Sequence, residues 1–428
     1  MTMALIVVYD KGAVSPLDIV SKISVPLIVV LADTAHARRM RPLFEESCLA
    51  VYDLADAGLV AALARHQPTG IQTYSEPMLR ATSALAAALG LPFHDADVVM
   101  ALTRKDAQRQ RLRAAGVDAT VSMTLTDICE WDSIVARIKL PVVIKPASGV
   151  ASRNTLLVHD ADTGRALLGP IIDQEGTVVV EEYLSGAAVP APWGDYVSVE
   201  TVVCDSDIRH LAVTGKLRLA APFRETGQFW PCRLDASTHA DVLHLASEAI
   251  KALNVATGIL HTEIKLTAAG PRIIEVNGRV GGLIPELASH AAGIDLVDVG
   301  AQLACGADIR LPAVVPDRVY LQFHTPAPIE AGTVTSVCRR ADVSDIPGVV
   351  GYTELVRRGD MVGGYGTHEL NVVSAEAADH DALEPIVDMI MDRVVYGFDF
   401  NGRRVARSAR DLVGVGAFSA KCAVGNLG

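Results

Sequence analysis

Two neighbouring apolar segments of the chain carry acidic and amide side chains at alternating positions. They are His261–Leu266 and Arg272–Arg279. Side chains alternate between the two faces of a β-strand, so Glu263, Glu275 and Asn277 are predicted to share one face. Carboxylate and amide oxygens suit Mg²⁺, which takes one or two carboxylates and leaves room for phosphate oxygens. The pattern therefore predicts a magnesium site that faces phosphate; the alternative is an exposed strand pair with unrelated acids.

The link between these segments, Ala268–Gly270, predicts a β-hairpin with a three-residue loop, and glycine suits the left-handed position of such a loop. The hairpin places Glu263 opposite Glu275, where two like charges need a cation between them. It also places His261 opposite Asn277. His261 is expected to pack or to support a ligand, and not to bind the metal itself. The residues expected on the opposite, apolar face are Ile264, Leu266, Ile274 and Val276.

Lys145 ends an apolar strand and leads into a run of small residues, Ala147–Asn154. A lysine in that position must reach an anion or solvent. Small side chains expose backbone N–H groups that can bind phosphate, which makes Ser148, Gly149 and Ser152 candidates. The loop is not a Walker A motif, because the Gly-Lys-Ser/Thr ending is absent. A polar turn with a solvated lysine is the alternative.

Lys105 is predicted to lie at the start of a helix. Thr103–Asp106 resembles a capping box, and Gly116 follows the expected end of the helix. A lysine gains nothing from the dipole at a helix N-terminus. Contact with a phosphate is one explanation of its position, and simple surface exposure is the commoner one.

An apolar strand turns polar at residues 178–184, and adenine could lie against its apolar part and bond to the backbone beyond it. Asp195 and Glu200 flank the next strand, and either could hold ribose hydroxyls. The residues at the end of this segment are Glu181, Glu182, Tyr183 and Leu184.

The segment Lys216–Pro231 mixes charged and aromatic residues. Loops of this length are often binding elements or lids. Arg224 could hold a carboxylate and Glu225 an ammonium group; a surface flap is the alternative reading.

The elements that must position these residues are those of an α/β protein. Strands in the first hundred residues, separated by helical stretches, predict a small parallel sheet with crossover helices. A second group of strands follows, and helices are expected from Ser237 or Thr238 and from Gly281-Gly282 to about Ala292. The predicted strands are Leu5–Val8, Leu27–Leu31, Leu49–Tyr52, Gly70–Thr73, Pro141–Lys145, Leu156–Val158, Thr177–Tyr183 and Tyr196–Cys204.

Two prolines and mixed charge near Arg310–Asp317 predict a domain boundary. Beyond it, residues 319–400 predict short strands and one helix. The buried face of that helix is predicted to consist of Leu383, Ile386, Val387, Ile390 and Val394.

Composition limits the classes of function. A chain of 428 residues is long enough for two to four domains. Its net charge of -12 argues against nucleic acid or an anionic membrane as the main partner. No apolar run approaches the length of a membrane span. The 7 cysteines are scattered without a CxxC pair, which favours reduced thiols in the cytoplasm over a zinc site or a disulfide framework. No nucleophile–base pair points to hydrolysis by a triad.

Taken in order, these pieces resemble the ATP-grasp superfamily. The resemblance rests on Lys105, the lysine and small-residue loop at 145–154, the run Val-Glu-Glu-Tyr-Leu-Ser-Gly at 180–186, Glu263, and Ile-Glu-Val-Asn-Gly-Arg at 274–279 followed by Gly281-Gly282. It implies an N-terminal Rossmann-like preATP-grasp domain at 1–103 and an ATP-grasp domain at 104–310. The latter would have a lid part at about 104–204 and a catalytic part at about 205–310. A small C-terminal α/β lobe and tail would occupy 311–428.

The resemblance also implies roles. Lys105 and Lys145 would bind ATP phosphates under the 148–154 loop, residues 181–184 would hold adenine, and Arg279 would stabilise the transferred phosphoryl group. Glu263, Glu275 and Asn277 would hold two Mg²⁺ ions. In this family a carboxylate attacks the γ-phosphate of ATP, and an amine then displaces phosphate from the acyl-phosphate.

Within the superfamily, the loop with Pro-Phe-Arg-Glu-Thr-Gly-Gln and the run His-Thr-Glu-Ile-Lys are most similar to L-amino-acid ligases. This similarity implies small-molecule carboxylate and amine substrates, with Glu225 on the ammonium group and a homodimer as the family-level expectation. Related ligases often have His where this chain has Gln228, and an insertion at 187–194 precedes Asp195. Two other readings stay open: a biotin-carboxylase-like or purine-pathway enzyme that activates bicarbonate, and an inactive ATP-binding regulatory protein. The residues assigned to substrate are Lys216, Arg224, Glu225, Gln228, Gly281 and Gly282.

Overall fold

The computed structural model describes residues 4–309, 311 and 316–414. It begins with a parallel sheet of four strands in the order β3-β2-β1-β4. The four strands predicted here are present, with ends within one residue of the expected positions. The elements are β1 (Leu5–Tyr9), α1 (Pro16–Lys22), β2 (Leu27–Leu31), α2 (Ala35–Ser47), β3 (Ala50–Asp53), α3 (Leu59–Ala64), β4 (Gly70–Gln72), α4 (Leu79–Leu89) and α5 (Ala96–Thr103).

A second, antiparallel sheet of four strands follows, in the order β5-β8-β6-β7. Its helices bury Trp131 and Leu168 against one face of the sheet. The elements are α6 (Lys105–Ala114), β5 (Ser122–Leu125), α7 (Trp131–Ile138), β6 (Val142–Pro146), β7 (Leu156–Val158), α8 (Ala161–Glu175) and β8 (Val178–Glu182).

The predicted capping box at the start of α6 is wrong. Thr103 is the last residue of α5, and its hydroxyl donates to the carbonyl of Val99. The N-cap of α6 is Arg104, whose side chain makes no capping hydrogen bond and pairs with Asp106 instead. The helix itself begins at Lys105, so the lysine lies where the sequence analysis placed it.

The largest sheet has eight strands in the order β13-β12-β9-β10-β11-β14-β18-β16, and a smaller one has the order β17-β15-β19-β20. Within this part α9 is capped by Asp235, two or three residues earlier than predicted, and α10 ends at Ala292 as predicted. The elements are β9 (Trp193–Cys204), β10 (Asp207–Leu217), β11 (Gly227–Trp230), α9 (Ala236–Ala252), β12 (Gly258–Thr267), β13 (Gly270–Asn277), α10 (Ile284–Ala292), α11 (Leu296–Ala304), β14 (Val319–Pro326), β15 (Gly332–Ser336), α12 (Arg340–Val343), β16 (Val349–Glu354), β17 (Met361–Val362), β18 (Glu369–Ala377), α13 (His380–Arg393), β19 (Val395–Phe400), β20 (Arg403–Ser408) and α14 (Ala409–Gly414).

The sheet continues across the predicted boundary at residues 310–317, most of which lie outside the described residues. The strand β14 follows this segment and pairs with β11, which precedes it. The helix predicted in the C-terminal part is α13, and its predicted apolar face is buried. Within the described residues, no helix is long and apolar enough to cross a membrane.

The predicted pairing of β12 with β13 is confirmed. Glu263 is opposite Glu275, and His261 is opposite Asn277. The loop between the strands has two residues and not three, because Thr267 already pairs with the residue at position 270.

A β-bulge follows the acidic pair, and it corrects one predicted face. Ile264 is opposite Ile273, so one residue of β13 is left over between this pair and Glu275. Ile273 is fully buried, whereas Ile274 is only half-buried. Strict alternation predicted Ile274 on the apolar face, and an extra residue in one strand reverses that assignment.

One face of the eight-stranded sheet is polar across six strands. Residues that pair across antiparallel strands point to the same side. A row of such pairs joins Asn277, His261 and Glu200, and another joins Lys216, Gln228 and Gln322. The opposite face is apolar and covers the core beneath α9 and α13. We call the polar side the polar face; its members are Glu275, Asn277, His261, Glu263, Lys265, Tyr196, Ser198, Glu200, Lys216, Gln228, Gln322 and His324.

Candidate active site

His261 links two carboxylates at the centre of the polar face. Its Nδ1 donates to both carboxylate oxygens of Glu200 at 2.9 Å, and its Nε2 lies 3.6 Å from Oε1 of Glu263. Burial alone would lower the pKa of His261, but the charge of Glu200 outweighs it and raises the pKa to about 9. Burial would raise the pKa of Glu263, yet His261, Lys216 and Arg279 lower it to about 2. Glu263 is therefore an ionised carboxylate held by a charged imidazole.

Lys105 connects the acidic strand pair with the small-residue loop. Its ammonium lies 2.7 Å from Oε1 of Glu275 and donates to the carbonyl of Gly149 at 3.0 Å. Burial acts to lower the pKa of Lys105, but Glu275, Glu76 and Glu263 raise it. The structure thus brings together a predicted phosphate-binding lysine, a predicted metal ligand and the predicted phosphate loop.

Arg279 follows β13 and lies at the end of the acidic edge, the name we give to Glu263, Glu275 and Asn277 on β12 and β13. It contacts Glu76, a residue that was not predicted from the sequence. Its Nη2 is 3.4 Å from Oδ1 of Asn277 and 3.2 Å from Oε2 of Glu76. Glu76 belongs to the N-terminal parallel sheet region, and burial raises its pKa to about 7 although Arg279 opposes the shift. A usable signal existed, since polar residues that follow strands at the carboxyl edge of a parallel sheet often serve a site.

Lys145 is held in a buried ionic cluster. Its ammonium is 2.7 Å from Oε2 of Glu181, and Arg109 donates to the same carboxylate from Nε at 2.8 Å. Burial lowers the pKa of Lys145 despite the nearby carboxylate. Burial would raise the pKa of Glu181, but Arg109 and Lys145 bring it to about 2. Arg109, which the sequence analysis did not single out, also donates to the carbonyls of Ile273 and Ile274 at the β-bulge.

The loop at 148–154 lies across Lys105 and is fastened at several points. Ser152 has a φ of 51°, and Gly149 has a φ of 155°. The carbonyl of Ala151 accepts a hydrogen bond of 2.7 Å from the N–H of Thr367. Arg153 pairs with Glu175 in α8. No described contact assigns a role to the hydroxyls of Ser148 or Ser152, so their contact with phosphate stays a prediction.

The predicted adenine segment has most of its backbone donors in use. The N–H of Glu182 donates to the carbonyl of Val121, and the N–H of Tyr183 donates to the carbonyl of Pro141. Among the described residues, none accepts from the N–H of Leu184. The side chain of Glu181 belongs to the ionic cluster and is not free to contact adenine.

Of the two ribose candidates, only Asp195 stays near the adenine segment. Its carboxylate is 2.7 Å from the ammonium of Lys265, and a Cβ at Gly186 would collide with it. Glu200 is buried against His261 and Ser198, so its carboxylate has no free side for a sugar. The ribose assignment therefore rests on Asp195 alone and stays a prediction.

The predicted substrate residues form a polar chain next to the acidic edge. Lys216 lies 3.1 Å from Oε1 of Gln228 and 3.4 Å from Oε1 of Glu225. The amide nitrogen of Gln228 donates to the carbonyl of Gly282 at 3.0 Å. A Cβ at Gly281 would lie 2.4 Å from Nδ1 of His261, so the diglycine packs directly on the polar face.

Arg224 does not join this group. Its side chain is 2% exposed and donates to the carbonyls of Ala221 and Ala327. Two of the five N–H donors of the guanidinium therefore bind main-chain carbonyls, and these bonds tie the loop to the end of β14. A contact of Arg224 with a substrate carboxylate stays a prediction.

The residues at the acidic edge fit Mg²⁺. Within the described part of the chain, no three His, Cys, Asp or Glu residues have metal-binding spacing. The donor set here is two carboxylates, Glu263 and Glu275, with the amide oxygen of Asn277 nearby. Mg²⁺ commonly binds through one or two carboxylates and takes its other ligands from water and substrate phosphates.

Comparison with known proteins finds a family model that matches part of this region. Residues 110–283 match the model of the ATP-grasp domain. The chain is 26% identical over 294 residues to carnosine synthase 1 of Mus musculus, which covers 63% of this chain and 35% of that protein. It is 24% identical over 234 residues to alanine–anticapsin ligase of Bacillus subtilis, covering 50% of this chain and 49% of that one. The chain thus spans half or less of the length of these relatives.

Solved structures share the fold over nearly the whole chain. An L-amino acid ligase from Bacillus licheniformis superposes with a TM-score of 0.73 at 18% identity, over 93% of this chain and 99% of that one. A biotin carboxylase from Campylobacter jejuni superposes with a TM-score of 0.65 at 14% identity, over 95% and 93% of the two chains. These superpositions establish the shared architecture, and identities this low leave the reaction open.

Proposed function

The chain contains an ATP-grasp domain, and from this premise we propose that it is an ADP-forming carboxylate–amine ligase. It would join an amino acid to a second amino acid or a related amine through an acyl-phosphate. The proposal extends to ATP and two Mg²⁺ ions as the groups that the site takes up, and to small-molecule acids and amines as substrates. The three-part domain division and the homodimer remain predictions.

The observation that carries the proposal is the register of β12 and β13 beside Lys105. Glu263 and Glu275 are directly opposite each other, and Lys105 lies 2.7 Å from Glu275 and 3.0 Å from the phosphate-loop carbonyl of Gly149. Two opposed carboxyl groups next to a lysine ammonium suit a metal-bound triphosphate. The proposal therefore combines the metal and phosphate assignments at one edge of the sheet.

The side chains of this chain have separable tasks in the proposed reaction. Lys105 and Lys145 hold phosphate oxygens, and the loop at 148–154 shields them from water. Arg279 faces charge that develops on the transferred phosphoryl group. Glu76 accepts from Nη2 of Arg279 at 3.2 Å and so helps to hold the guanidinium. When bound at Glu263, Glu275 and Asn277, Mg²⁺ neutralises phosphate charge and orients the triphosphate.

The substrate groups are assigned to the hydrogen-bonded side chains around Lys216. Glu225 has a partly exposed carboxylate and suits the ammonium of an amino acid. A carboxylate does not condense with an amine until its oxygen becomes a good leaving group, which the phosphoryl transfer supplies. The amine then attacks the acyl carbon, and phosphate departs.

The proposal is tested by ADP release from the purified chain with pairs of amino acids, with the products identified by mass spectrometry. We expect release that requires both an acid and an amine, and a product whose mass equals the two amino acids less one water. Glu275→Ala should abolish release, and full release by this variant would refute the metal assignment. Arg403→Lys, a substitution of an exposed side chain on β20, is the control for effects of mutagenesis and purification.

A second candidate is a bicarbonate-activating enzyme of the biotin-carboxylase or purine-pathway type. The shared fold with the biotin carboxylase supports it. A bicarbonate-dependent burst of ADP without any amine would favour this reading over the ligase. Tight ATP binding with no turnover across the whole panel would instead favour an inactive regulatory protein.

A further inference from the structure

Buried polar groups continue the polar face beyond the residues that the proposed reaction uses. Gln322 and His324 lie on β14, two residues apart and therefore on the same side of the sheet. Gln322 pairs with Gln228 across the strands, and Gln228 pairs in turn with Lys216. The face thus extends from the acidic edge into the C-terminal part of the chain.

The side chains of Gln322 and His324 are buried, yet several of their polar atoms have no hydrogen-bond partner among the described residues. Gln322 is 1% exposed and His324 is 2% exposed. Within the described part of the chain, the amide nitrogen of Gln322 and both ring nitrogens of His324 have no partner. The oxygen of Gln322, by contrast, accepts from Gln228 at 2.9 Å. Buried polar atoms are normally paired, so these donors and acceptors require an explanation.

The surrounding charges limit which ligand groups can bind the unpartnered atoms of Gln322 and His324. Burial lowers the pKa of His324 to about 4, so its imidazole is neutral near pH 7 and offers a donor or an acceptor according to tautomer. Lys216 is already beside Glu225 at 3.4 Å. Burial, with a contribution from Glu225, raises the pKa of Glu369 on β18. A further carboxylate entering this region would be buried near Glu225 and Glu369, and a cation would reach the partly exposed Glu225 first.

We propose that Gln322 and His324 form a subsite for an uncharged hydrogen-bonding group of a substrate, of the carboxamide class. A carboxamide presents an oxygen to the Gln322 amide nitrogen and either an oxygen or an N–H group to the imidazole. The inference rests on the proposed ligase function, because it assigns the side-chain specificity of one of the two joined amino acids. It also gives the C-terminal part of the chain a direct share in the site.

The test compares L-glutamine with L-methionine, L-glutamate and L-lysine, each paired with L-alanine, in the ADP-release assay. A site built for hydrogen bonds rejects partners that leave its polar groups unpaired, so glutamine should be preferred by about 10–100-fold in kcat/KM. His324→Leu should remove most of that preference while turnover of L-methionine is retained or raised. Tyr320→Phe, on the same strand and side, should keep the preference.

Gln322→Met provides a second variant of similar volume should His324→Leu not fold, and it should weaken the glutamine preference in the same direction. Thermal unfolding with each amino acid gives a readout that does not need turnover. No glutamine preference in either assay, or an equal loss for all four amino acids in both variants, would overturn the subsite. Glutamine-specific stabilisation lost in His324→Leu, together with no ADP release from any pair, would refute the ligase and leave the subsite standing.

Discussion

The N-terminal parallel sheet and the eight-stranded sheet use their side chains in opposite ways. Every residue of β1 and β2 is buried, because helices cover both faces of the parallel sheet. The eight-stranded sheet buries one face and presents a polar row on the other. The strand residues of the first sheet therefore serve packing, while alternate residues of the second sheet are available for chemistry. Substitutions in the two sheets should separate stability from activity.

Among the variants that compare the two sheets, the largest effect is expected from Arg279→Lys. The change keeps the charge and loses the planar fork that can contact Asn277, Glu76 and a phosphoryl group together. We expect kcat for ADP release to fall by about 10³-fold, within the range for arginines that stabilise phosphoryl transfer. The unfolding midpoint should change little. Steady-state kinetics with thermal unfolding measure both, and unchanged kcat would remove Arg279 from the reaction.

Glu181→Gln should lower stability most among polar substitutions. It leaves Arg109 and Lys145 as buried charges without their carboxylate. Breaking a buried pair from one side costs about 3–5 kcal/mol of the free energy of unfolding. Glu182→Gln, next in sequence and partly exposed, should cost about 1 kcal/mol or less. Urea titration of both variants is the measurement, and equal losses would contradict the description of the cluster.

Ile28→Ala examines the other side of the comparison. Ile28 is fully buried in the parallel sheet, so its truncation should cost about 2–5 kcal/mol. The kcat for ADP release per folded molecule should match that of the unmodified chain at a temperature where both are folded. A large loss of kcat here would mean that the two sheets are not separable in function.

The β-bulge of β13 is tested by a neighbouring pair of substitutions. Ile273→Ala should cost about 2–5 kcal/mol because its side chain is fully buried. Ile274→Ala should cost about 1 kcal/mol or less, since that side chain is half-buried. A larger loss of stability for Ile274→Ala than for Ile273→Ala would support strict alternation and contradict the bulge.

A smaller effect is expected from pH. The pKa of Glu181 is lowered from 4.5 to about 2 in the folded chain. A lowered carboxyl pKa contributes stability that is complete above the ordinary pKa and is lost as pH falls toward the folded value. The stability gap between the unmodified chain and Glu181→Gln should therefore narrow between about pH 5 and pH 2. Denaturant unfolding over this range measures it, and a constant gap would contradict the ionised pair.

Much of the fold and of the acidic edge was predictable from local pattern. The four parallel strands, the helix at 380–393 and the pairing of Glu263 with Glu275 follow from short-range periodicity and from a hairpin. The failures are also local in cause. Thr103 matched a capping box but ends the preceding helix, and Ile274 was displaced by one extra residue in its strand.

Long-range contacts were out of reach. Glu76 meets Arg279 across 203 positions, and Arg109 meets Glu181 across 72. A single sequence carries no signal for which distant charges will pair, because the pairing depends on how sheets stack. Arg224 illustrates the converse, since its residue type suggested a substrate contact and its packing gave it main-chain partners.

The sequence alone determined which residue types lie on which strand and in what order, because side-chain alternation and turn chemistry act over a few residues. The tertiary structure decided which of those residues share a site. It joined β14 to the sheet of the acidic hairpin and so brought Gln322 and His324 into line with Lys216. It also buried Glu200, Arg224 and Glu181 against specific partners. Burial and charge pairing are properties of the assembled sheets, and local sequence does not encode them residue by residue.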